Sequence, residues 1–431
     1  MLEHRDPSPT ATHDAPTGEA PTMSGGPSER RLANPVAALR HRPFRWLWAG
    51  QLFNSTGMWM DQMVRGWLVY DLTGSVSQLA LVAAARSLPL LVVGLVGGVL
   101  ADRLDRRRLL LGAHALTGVL HALVAGLVAS GQLEVWHVYL TAVGVGVGNA
   151  VKAPARQSLL PATVPAGTLQ NAVVLNSGTL TVGQSLGPAV GGALIAAVGF
   201  GPTFATQALV AFAALAATGR IDIDGRPADP RRDSVLSSIA EGFRYVRGNG
   251  IVLTLLLLAL VPLFLVAPHQ QLVPAVAAEE LLVGATETGV LLAASGAGAF
   301  VSFLALAFAP PLRRPGVVLL AGVLGYATAV AVFGASQLYA LSVVTLFVAG
   351  VLRTAYRTLT QNLLISHTDD AYLGRVNSIY LLDRGIMPLG AVTIGFAAEV
   401  VGTGTALTVA GVVCVAACAA VAARARALRA A

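Results

Sequence analysis

The chain has 431 residues, of which 55% are hydrophobic and 12% charged, and its mean hydropathy is +0.68. Soluble globular proteins carry about 25% charged residues, so this composition excludes an ordinary soluble domain and indicates a membrane protein. The formal net charge of +7 comes from arginines in the loops between apolar segments, a pattern that reflects membrane orientation rather than nucleic-acid binding.

The first 42 residues are rich in Pro, Thr, Ser and Ala and show no apolar periodicity. Such a segment buries too little apolar surface to fold, so we expect a disordered cytoplasmic tail. It also lacks the charged, apolar and small-residue regions of a cleavable signal peptide. The first apolar segment begins near Phe44, and we expect it to be retained as a transmembrane helix.

Including this first one, the chain has twelve apolar segments, each long enough to cross a bilayer as a helix, which takes about 20 residues. Their approximate bounds are 44–71, 76–101, 107–130, 135–161, 168–198, 202–219, 251–277, 285–309, 315–335, 338–365, 372–399 and 404–424. Arginines cluster at one set of segment ends, and acids such as Glu134, Glu279 and Glu399 at the other. The bias predicts a multi-pass protein of the cytoplasmic membrane with both termini in the cytoplasm.

The longest internal loop divides the spans six and six. We expect two six-helix bundles at 43–219 and 251–425, a cytoplasmic linker with an interfacial amphipathic helix at 220–250, and a short tail at 426–431. The two halves resemble each other, because Gln157-Ser158-Leu159-Leu160 aligns with Gln361-Asn362-Leu363-Leu364 at the offset that also relates the flanking segments. Weak internal symmetry of this kind is typical of secondary transporters.

A charged turn of eleven residues, from Gly98 to Arg108, joins the second and third spans: Gly-Val-Leu-Ala-Asp-Arg-Leu-Asp-Arg-Arg-Arg. It resembles the G-x-x-x-D-R-x-G-R-R signature of the major facilitator superfamily, with Asp105 in place of the glycine. An aspartate just before a helix can cap its free N–H groups, so we expect Asp105 to cap the third span.

The resemblance implies an all-α major facilitator fold of twelve transmembrane helices. It also implies that Asp102 stabilises the outward-facing state, by contacting neighbouring arginines and the start of span 11. The gating residues assigned in this turn are Gly98, Asp102, Arg103, Arg106 and Arg107.

A second signature lies in the fifth span, Gly183-x-x-x-Gly187-Pro188-x-x-Gly191-Gly192. It resembles the antiporter signature of drug:H⁺ exporters. Glycines four residues apart allow close helix contact, and Pro188 frees a backbone carbonyl and bends the span. Glycine spacing alone is common in membrane helices, but this context favours a functional role for Gly187, Pro188 and Gly191.

Shorter strings, among them Pro154-Ala155-Arg156-Gln157 and Gly374-Arg375-Val376, resemble the exporter branch that includes enterobactin exporters and macrolide efflux proteins. The resemblance covers nearly all of residues 43–425. It implies export of a small amphiphilic or drug-like molecule, of the drug or siderophore class, by proton antiport. The span 4 arginine of many proton antiporters aligns with Ala142, so the usual proton relay is not present in that form.

Ionisable residues inside spans are costly and mark candidate sites. Span 1 carries Asn54, Asp61 and Arg65 in one helical stripe. Asp61 and Arg65 lie one turn apart, so a structural ion pair and a coupling role are both open. Asp61 is one proton-coupling candidate, and Asp383 in span 11 is the other.

The remaining cavity or substrate candidates are polar or basic residues in spans 2, 4, 7, 10 and 11: Arg86, Lys152, Arg156, His269, Arg353, Arg357, Gln361 and Arg384. The stripes in spans 4 and 10 occupy equivalent positions in the two halves. For Arg156 and Arg357, snorkelling to the headgroups is an alternative. His269 lies between Pro268 and Pro274, where a kinked span could open onto the pathway. The excess of cations over Asp61 and Asp383 favours anionic or neutral cargo.

Several features point away from cofactors and enzymatic chemistry. No phosphate-binding loop with a Walker-type lysine occurs, so we expect no ATP. His114, His121 and His137 lack metal-ligand spacing and are predicted to serve in polar packing, while Cys414 and Cys418 are predicted to be apolar fillers. We expect a monomer whose partners are a small-molecule substrate, protons and the lipid bilayer. A solute:H⁺ symporter or importer, and a non-transporting receptor or scaffold, are the alternative functions.

Overall fold

The computed structural model describes residues 36–103, 105–223, 244–308, 310, 312–369, 372–381 and 383–424. Residues 1–35 of the predicted N-terminal tail, the predicted C-terminal tail and most of the predicted amphipathic helix in the linker lie outside these residues, although 244–248 are helical. The end of the predicted N-terminal tail is ordered: Ala37–Arg40 form a 3₁₀ turn, and the N–H of Ala38 donates to Asn171 Oδ1 of the fifth span at 2.9 Å. Every regular element in the described part is a helix, which confirms the all-α prediction. Besides three short 3₁₀ turns, the α-helices are α1 Arg42–Thr73, α2 Val76–Arg103, α3 Arg106–Ala129, α4 Val135–Leu159, α5 Leu169–Val198, α6 Phe200–Gly219, α7 Gly250–Leu265, α8 His269–Glu279, α9 Ala285–Phe308, α10 Pro315–Ala335, α11 Tyr339–Ser366, α12 Leu373–Leu381, α13 Asp383–Val401 and α14 Thr403–Arg424.

These helices form twelve spans, because α7 and α8 together make one crossing, and α12 and α13, on either side of residue 382, together make another. Eight crossings in the described part are long and apolar enough to span a membrane by length and composition. The described parts of α2 and α13 contribute shorter apolar stretches, Val76–Leu90 and Ile386–Val401. α1 and α4 are less apolar because they carry the polar stripes.

The predicted kink in span 7 is a break between α7 and α8. α7 ends at Leu265, and α8 begins at His269 directly after Pro268. Proline has no N–H to donate and disfavours helical backbone in the residue before it, which accounts for the interruption. His269 Nδ1 lies 2.7 Å from the carbonyl oxygen of Val266 and helps to hold the break.

Each half is a bundle. In the first, α1 contacts α2, α5 and α6, α2 packs on α4, and α3 packs on α4 and α6. In the second, α11 packs on α9 and α10, and α10 on α14. α11 begins at the position equivalent to the start of α4, so the offset seen in the sequence is kept in the structure.

The two halves meet along two helix pairs, α5 with α9 and α2 with α13. We call the ends where α2 finishes and α3 begins the basic end, and the opposite ends, where α1 finishes and α2 begins, the acidic end. Two hydrogen-bonded contacts join the halves at the acidic end. Tyr70 Oη donates to Glu279 Oε1 at 2.9 Å, and the N–H of Ser77 donates to Glu399 Oε2 at 2.8 Å. The closest helix approaches between the halves run from this end to mid-depth, so the structure is closed at the acidic end.

Candidate functional site

Asp61, at mid-depth on α1, is the centre of a buried charge cluster in the first half. Its side chain is 1% exposed. Oδ1 accepts hydrogen bonds from Arg65 Nη2 at 2.8 Å and from Arg65 Nε at 3.0 Å. Oδ2 accepts from Arg86 Nη1 at 3.3 Å. The ion pair one turn apart on α1 is therefore present, but α2 adds a second cation to it.

The two arginines are themselves held by neighbouring helices. Arg65 Nη1 donates to Thr141 Oγ1 of α4 at 2.9 Å, and its guanidinium lies over the Phe204 ring, 5.6 Å from the centroid. Arg86 Nη2 donates to Gln62 Oε1 at 3.1 Å. Burial of this kind strengthens each electrostatic contact and makes an unpaired partner costly.

His121 on α3 completes the cluster and was not predicted to be functional. Its Nε2 lies 3.1 Å from Asp61 Oδ1, and the side chain is 2% exposed. His121 shares one helical face with Thr117 and His114, at intervals of four and three residues. That polar stripe on an otherwise apolar span was the signal available in the sequence. Its spacing excludes a chelate motif but not contact with an acid on another helix.

Lys152 and Arg156 of α4 lie in the same half, closer to the basic end. Lys152 Nζ donates to Thr117 Oγ1 at 3.2 Å, and the residue is 4% exposed. Arg156 Nη1 donates to Gln51 Oε1 on α1. The structure thus directs both residues into the bundle, where Arg156 contacts a buried glutamine in addition to any contact near the headgroups.

Three cavities adjoin these side chains. The first, about 340 Å³, lies among α1, α3, α4 and α6 and is lined by polar residues that include Asn54, Asp61, His121, Lys152 and Gln207. The second, about 240 Å³, shares Asn54, His114 and Lys152 with it and extends to Thr218 near the basic end. The third, also about 240 Å³, is lined by Gln62, Arg65, Arg86 and Gln271. Because Gln271 belongs to α8, the third cavity lies between the halves, and the Asp61 cluster separates it from the first.

The polar residues of the second half do not form a matching ion cluster in the described part of the chain. His269 is 1% exposed, and its ring lies edge-on to Tyr326, with centroids 5.9 Å apart. Tyr326 stacks on Tyr356 of α11 at 5.7 Å. His269 is thus buried among aromatic rings and does not open onto the pathway here.

The other second-half candidates differ in exposure. Arg353 and Arg357, on either side of Tyr356, are partly buried, whereas Gln361 is exposed toward the basic end. The structure therefore does not place Gln361 with the buried candidates. Asp383 and Arg384 begin α13, and their side chains lie outside the described part.

The glycine-rich stretch of α5 is a packing surface on two helices. A Cβ at Gly183 or Gly187 would lie 2.6 Å from backbone atoms of Ser55 or Thr56 on α1. A Cβ at Gly191 would lie 2.9 Å from a methyl group of Val64 on α1, and one at Gly192 only 2.3 Å from the Ala285 carbonyl oxygen on α9. One face of α5 therefore packs closely on α1 of its own half, and the adjacent face packs closely on α9 of the other half.

Pro188 belongs to the same contact between the halves. A Cβ at Gly289 of α9 would lie 2.6 Å from the Pro188 carbonyl oxygen. The motif thus packs α5 against α9 of the other half, so any relative movement of the halves must change this contact.

The charged turn behaves as predicted at Asp105. Its carboxylate accepts hydrogen bonds from the N–H groups of Arg107 at 2.9 Å and Arg108 at 3.2 Å, so it caps α3. Arg106 Nη1 donates to the Ser158 carbonyl oxygen at 3.3 Å, and Arg107 Nη2 donates to that of Gly219. These arginines tie α3 to α4 and α6 within one half. The surroundings of Gly98 and the side chains of Asp102 and Arg103 lie outside the described part.

Comparison with known proteins gives the same architecture. Enterobactin exporter EntS of Shigella boydii is 30% identical to this chain over 298 residues, which cover 67% of this chain and 69% of the relative. EntS of Escherichia coli matches with the same identity and coverage.

Solved structures of transporters share the fold. A POT family transporter in complex with a thioalcohol-conjugated peptide has a TM-score of 0.69 at 11% identity and covers 90% of this chain and 96% of its own. A bacterial homologue of the human lysosomal transporter Spinster has a TM-score of 0.64 at 15% identity, with coverages of 88% and 94%.

A family model described as "Transmembrane secretion effector" matches residues 33–430, which include both bundles and the linker between them. With the twelve-span architecture and the EntS relatives, this match shows that the chain belongs to the transmembrane secretion effector family of major facilitator transporters.

Proposed function

We propose that this protein exports a small amphiphilic molecule, of the drug or siderophore class, by proton antiport with alternating access. Membership of a secretion effector family and the EntS relatives support export. The cations that line the cavities support an anionic or neutral cargo. Transport would need no ATP and no cofactor, and the protein would act as a monomer.

The observation that carries the proton-coupling part is the Asp61 cluster. An ionisable group at mid-membrane is expensive, and here one carboxylate faces two guanidinium groups and an imidazole. Protonation of Asp61 would weaken its hold on Arg65 and Arg86, which line the cavity between the halves. A change of charge at one carboxylate would then alter contacts on the substrate side. Asp383 is kept as a second candidate for the proton site.

Alternating access is supported by the arrangement of the contacts between the halves. The glycine contacts of α5 with α9 and the Glu279 and Glu399 hydrogen bonds close the acidic end. Glu279 accepts one hydrogen bond across the interface, from Tyr70, and Glu399 accepts bonds from Ser75 Oγ and the Ser77 N–H. These are a few side-chain contacts, so they can be released without unfolding either bundle. We assign the basic-turn residues Gly98, Asp102, Arg103, Arg106 and Arg107 to the corresponding closure at the other end.

The basic end is proposed to face the cytoplasm, because Lys and Arg are retained on that side during insertion. Both termini and the linker at 220–250 would then be cytoplasmic, between bundles at 43–219 and 251–425. Reporter fusions after residues 42, 230 and 428 are expected to give cytoplasmic signals. A periplasmic signal from any of the three would contradict the orientation.

Counterflow in proteoliposomes with an imposed pH gradient tests the function. A panel of antibiotics, siderophores and lipids should contain a compound whose movement is coupled to opposite proton movement. Proton and compound moving together would favour a symporter or importer. Absence of substrate-dependent proton movement across the panel would favour a non-transporting receptor or scaffold.

A further inference from the structure

We infer that the cavity inside the first half binds a small monovalent anion, with the ammonium of Lys152 as its main ligand. The anion is either a free inorganic ion or the anionic head of an amphiphile. The inference concerns anion binding alone. It can therefore be wrong while the proposed export is right, and the proposed export can be wrong while this inference is right.

The first argument is the charge of this part of the bundle. Lys152 is 4% exposed, and its one hydrogen bond in the described part of the chain goes to the hydroxyl of Thr117. That hydroxyl donates in turn to the carbonyl oxygen of Ala113 at 2.8 Å, so it offers Lys152 only a lone pair. Within the described residues, no carboxylate lies within 4.0 Å of the ammonium. A buried cation without a counterion is strongly destabilising, and an ammonium has three N–H donors to satisfy.

Asp61 lines the same cavity, but its two oxygen atoms already accept hydrogen bonds from Arg65, Arg86 and His121. The single carboxylate is therefore already paired with two guanidinium groups, and Lys152 is a third cation. Positive charges outnumber negative charges around this cavity, so an additional negative charge would balance them.

Gln207 supplies a second, independent observation. It is fully buried on α6 and lines the same cavity, and neither its Nε2 nor its Oε1 has a hydrogen-bond partner within the described residues. A buried amide left unpaired is costly, which points to a bound species. Nε2 can donate to an anion held by Lys152, and Asn149 adds another amide to the lining.

The walls of the cavity limit the ligand to a small group. Phe53, Met58, Val145 and Val210 surround the polar side chains, and the space of about 340 Å³ includes its opening to solvent, so the enclosed part is small. A halide or a single carboxylate group suits the enclosed part. The neighbouring cavity shares Lys152 and reaches toward the basic end, which provides a route of entry.

The test uses the full-length protein purified in sodium gluconate, a bulky anion, with thermal unfolding followed as sodium bromide replaces gluconate at constant ionic strength. Specific binding predicts a saturable rise in the unfolding temperature, because a ligand that binds the folded state stabilises it. Lys152→Met should weaken apparent bromide affinity by at least about tenfold. It should also unfold at a higher temperature than wild type in gluconate, since it removes an uncompensated charge. Gln207→Leu should weaken bromide binding less, and Arg220→Gln, at an exposed arginine, should bind as wild type does.

Sodium benzoate separates the two sources of the anion. Lys152-dependent stabilisation by bromide and not by benzoate assigns the site to a free inorganic anion, and Lys152-dependent stabilisation by benzoate alone assigns it to the anionic head of an amphiphile. A bromide effect that is unsaturable, or unchanged in both Lys152→Met and Gln207→Leu, overturns the inference and leaves water as the occupant. If Lys152→Met does not fold, the comparison of Gln207→Leu with wild type decides by the same criterion.

Discussion

At the scale of single residues, the first half of the molecule is organised around one carboxylate. Asp61 contacts three basic side chains: Arg65 on its own helix, Arg86 on α2 and His121 on α3. Because Asp61, Arg65 and His121 are buried and Arg86 is only 14% exposed, the cluster is coupled and a change in one member affects the others. This coupling suits a residue that links protonation to conformation.

Replacement of Asp61 by Asn should abolish proton-coupled transport and reduce the free energy of unfolding. Breaking one side of a buried ion pair costs about 3–5 kcal/mol, because both guanidinium groups lose their charge partner. The readouts are substrate-dependent proton movement in proteoliposomes and thermal unfolding in detergent. Asp71→Asn, at an exposed acid near the end of α1, is the matched control and should behave as wild type in both. Full coupling in Asp61→Asn would transfer the proton role to Asp383.

The same cluster shows what sequence alone could and could not predict about the site. Asp61, Arg65, Arg86 and Lys152 were identified because ionisable residues in apolar spans stand out individually. His121 was assigned to polar packing, since its link to Asp61 joins residues 60 positions apart and depends on how α3 faces α1. Gln207 was missed because a lone glutamine in an apolar helix carries no pattern.

At the scale of helices, α5 is the element on which movement of the halves depends. Its glycines contact α1 within one half and α9 in the other. A side chain added at Gly192 would therefore clash with the other half, whereas one added at Gly187 would clash with α1 in the same bundle. Glycine spacing in the sequence predicted close contact but did not say which helices would meet.

Gly192→Ala should open the acidic end, because the added Cβ would lie 2.3 Å from a backbone oxygen of α9 and backbone cannot move aside locally. Spin labels on cysteines introduced at Gln132 and Leu282, both exposed at the acidic end, should report longer distances than in the parent. The parent carries alanine at Cys414 and Cys418. Gly126→Ala, where no atom lies within 4 Å of the added Cβ, controls for the general effect of alanine in a helix. Unchanged distances in Gly192→Ala would show that the contact does not limit opening.

Asp102→Asn tests the closure at the basic end. Asp102 lies near the C-terminus of α2, where the helix dipole is unfavourable for a carboxylate, so the charge needs a partner outside its own helix. We expect near-normal expression with strongly reduced transport. Asp105→Asn is the control, because asparagine also caps helices well and α3 should keep its N-terminal hydrogen bonds. Wild-type export by Asp102→Asn would exclude a gating role and leave a surface charge worth less than about 1 kcal/mol.

At the scale of the whole molecule, the fold was largely predictable and its state was not. Twelve apolar segments, a basic-to-acidic alternation of loops and two local signatures were enough to predict a major facilitator fold, because the bilayer allows few solutions to backbone hydrogen bonding. The break at Pro268 followed from proline chemistry. Closure at the acidic end rests on Tyr70, Ser77, Glu279 and Glu399, whose pairing depends on how two bundles dock and leaves no periodic pattern in the chain.

The charge of the interior also sets the class of cargo that the molecule should accept. The described cavities are lined by Arg65, Arg86 and Lys152, and their one carboxylate, Asp61, is already saturated by cations. A permanently cationic compound would have to enter against this field and displace a guanidinium to reach Asp61.

Everted membrane vesicles energised with a pH gradient should therefore show no transport of ethidium beyond that of vesicles without the protein. Retention of the gradient, followed with a pH-sensitive dye, controls for leak. Robust ethidium transport that disappears in Asp61→Asn would show that the acid is accessible to cations and that the interior charge does not select the cargo.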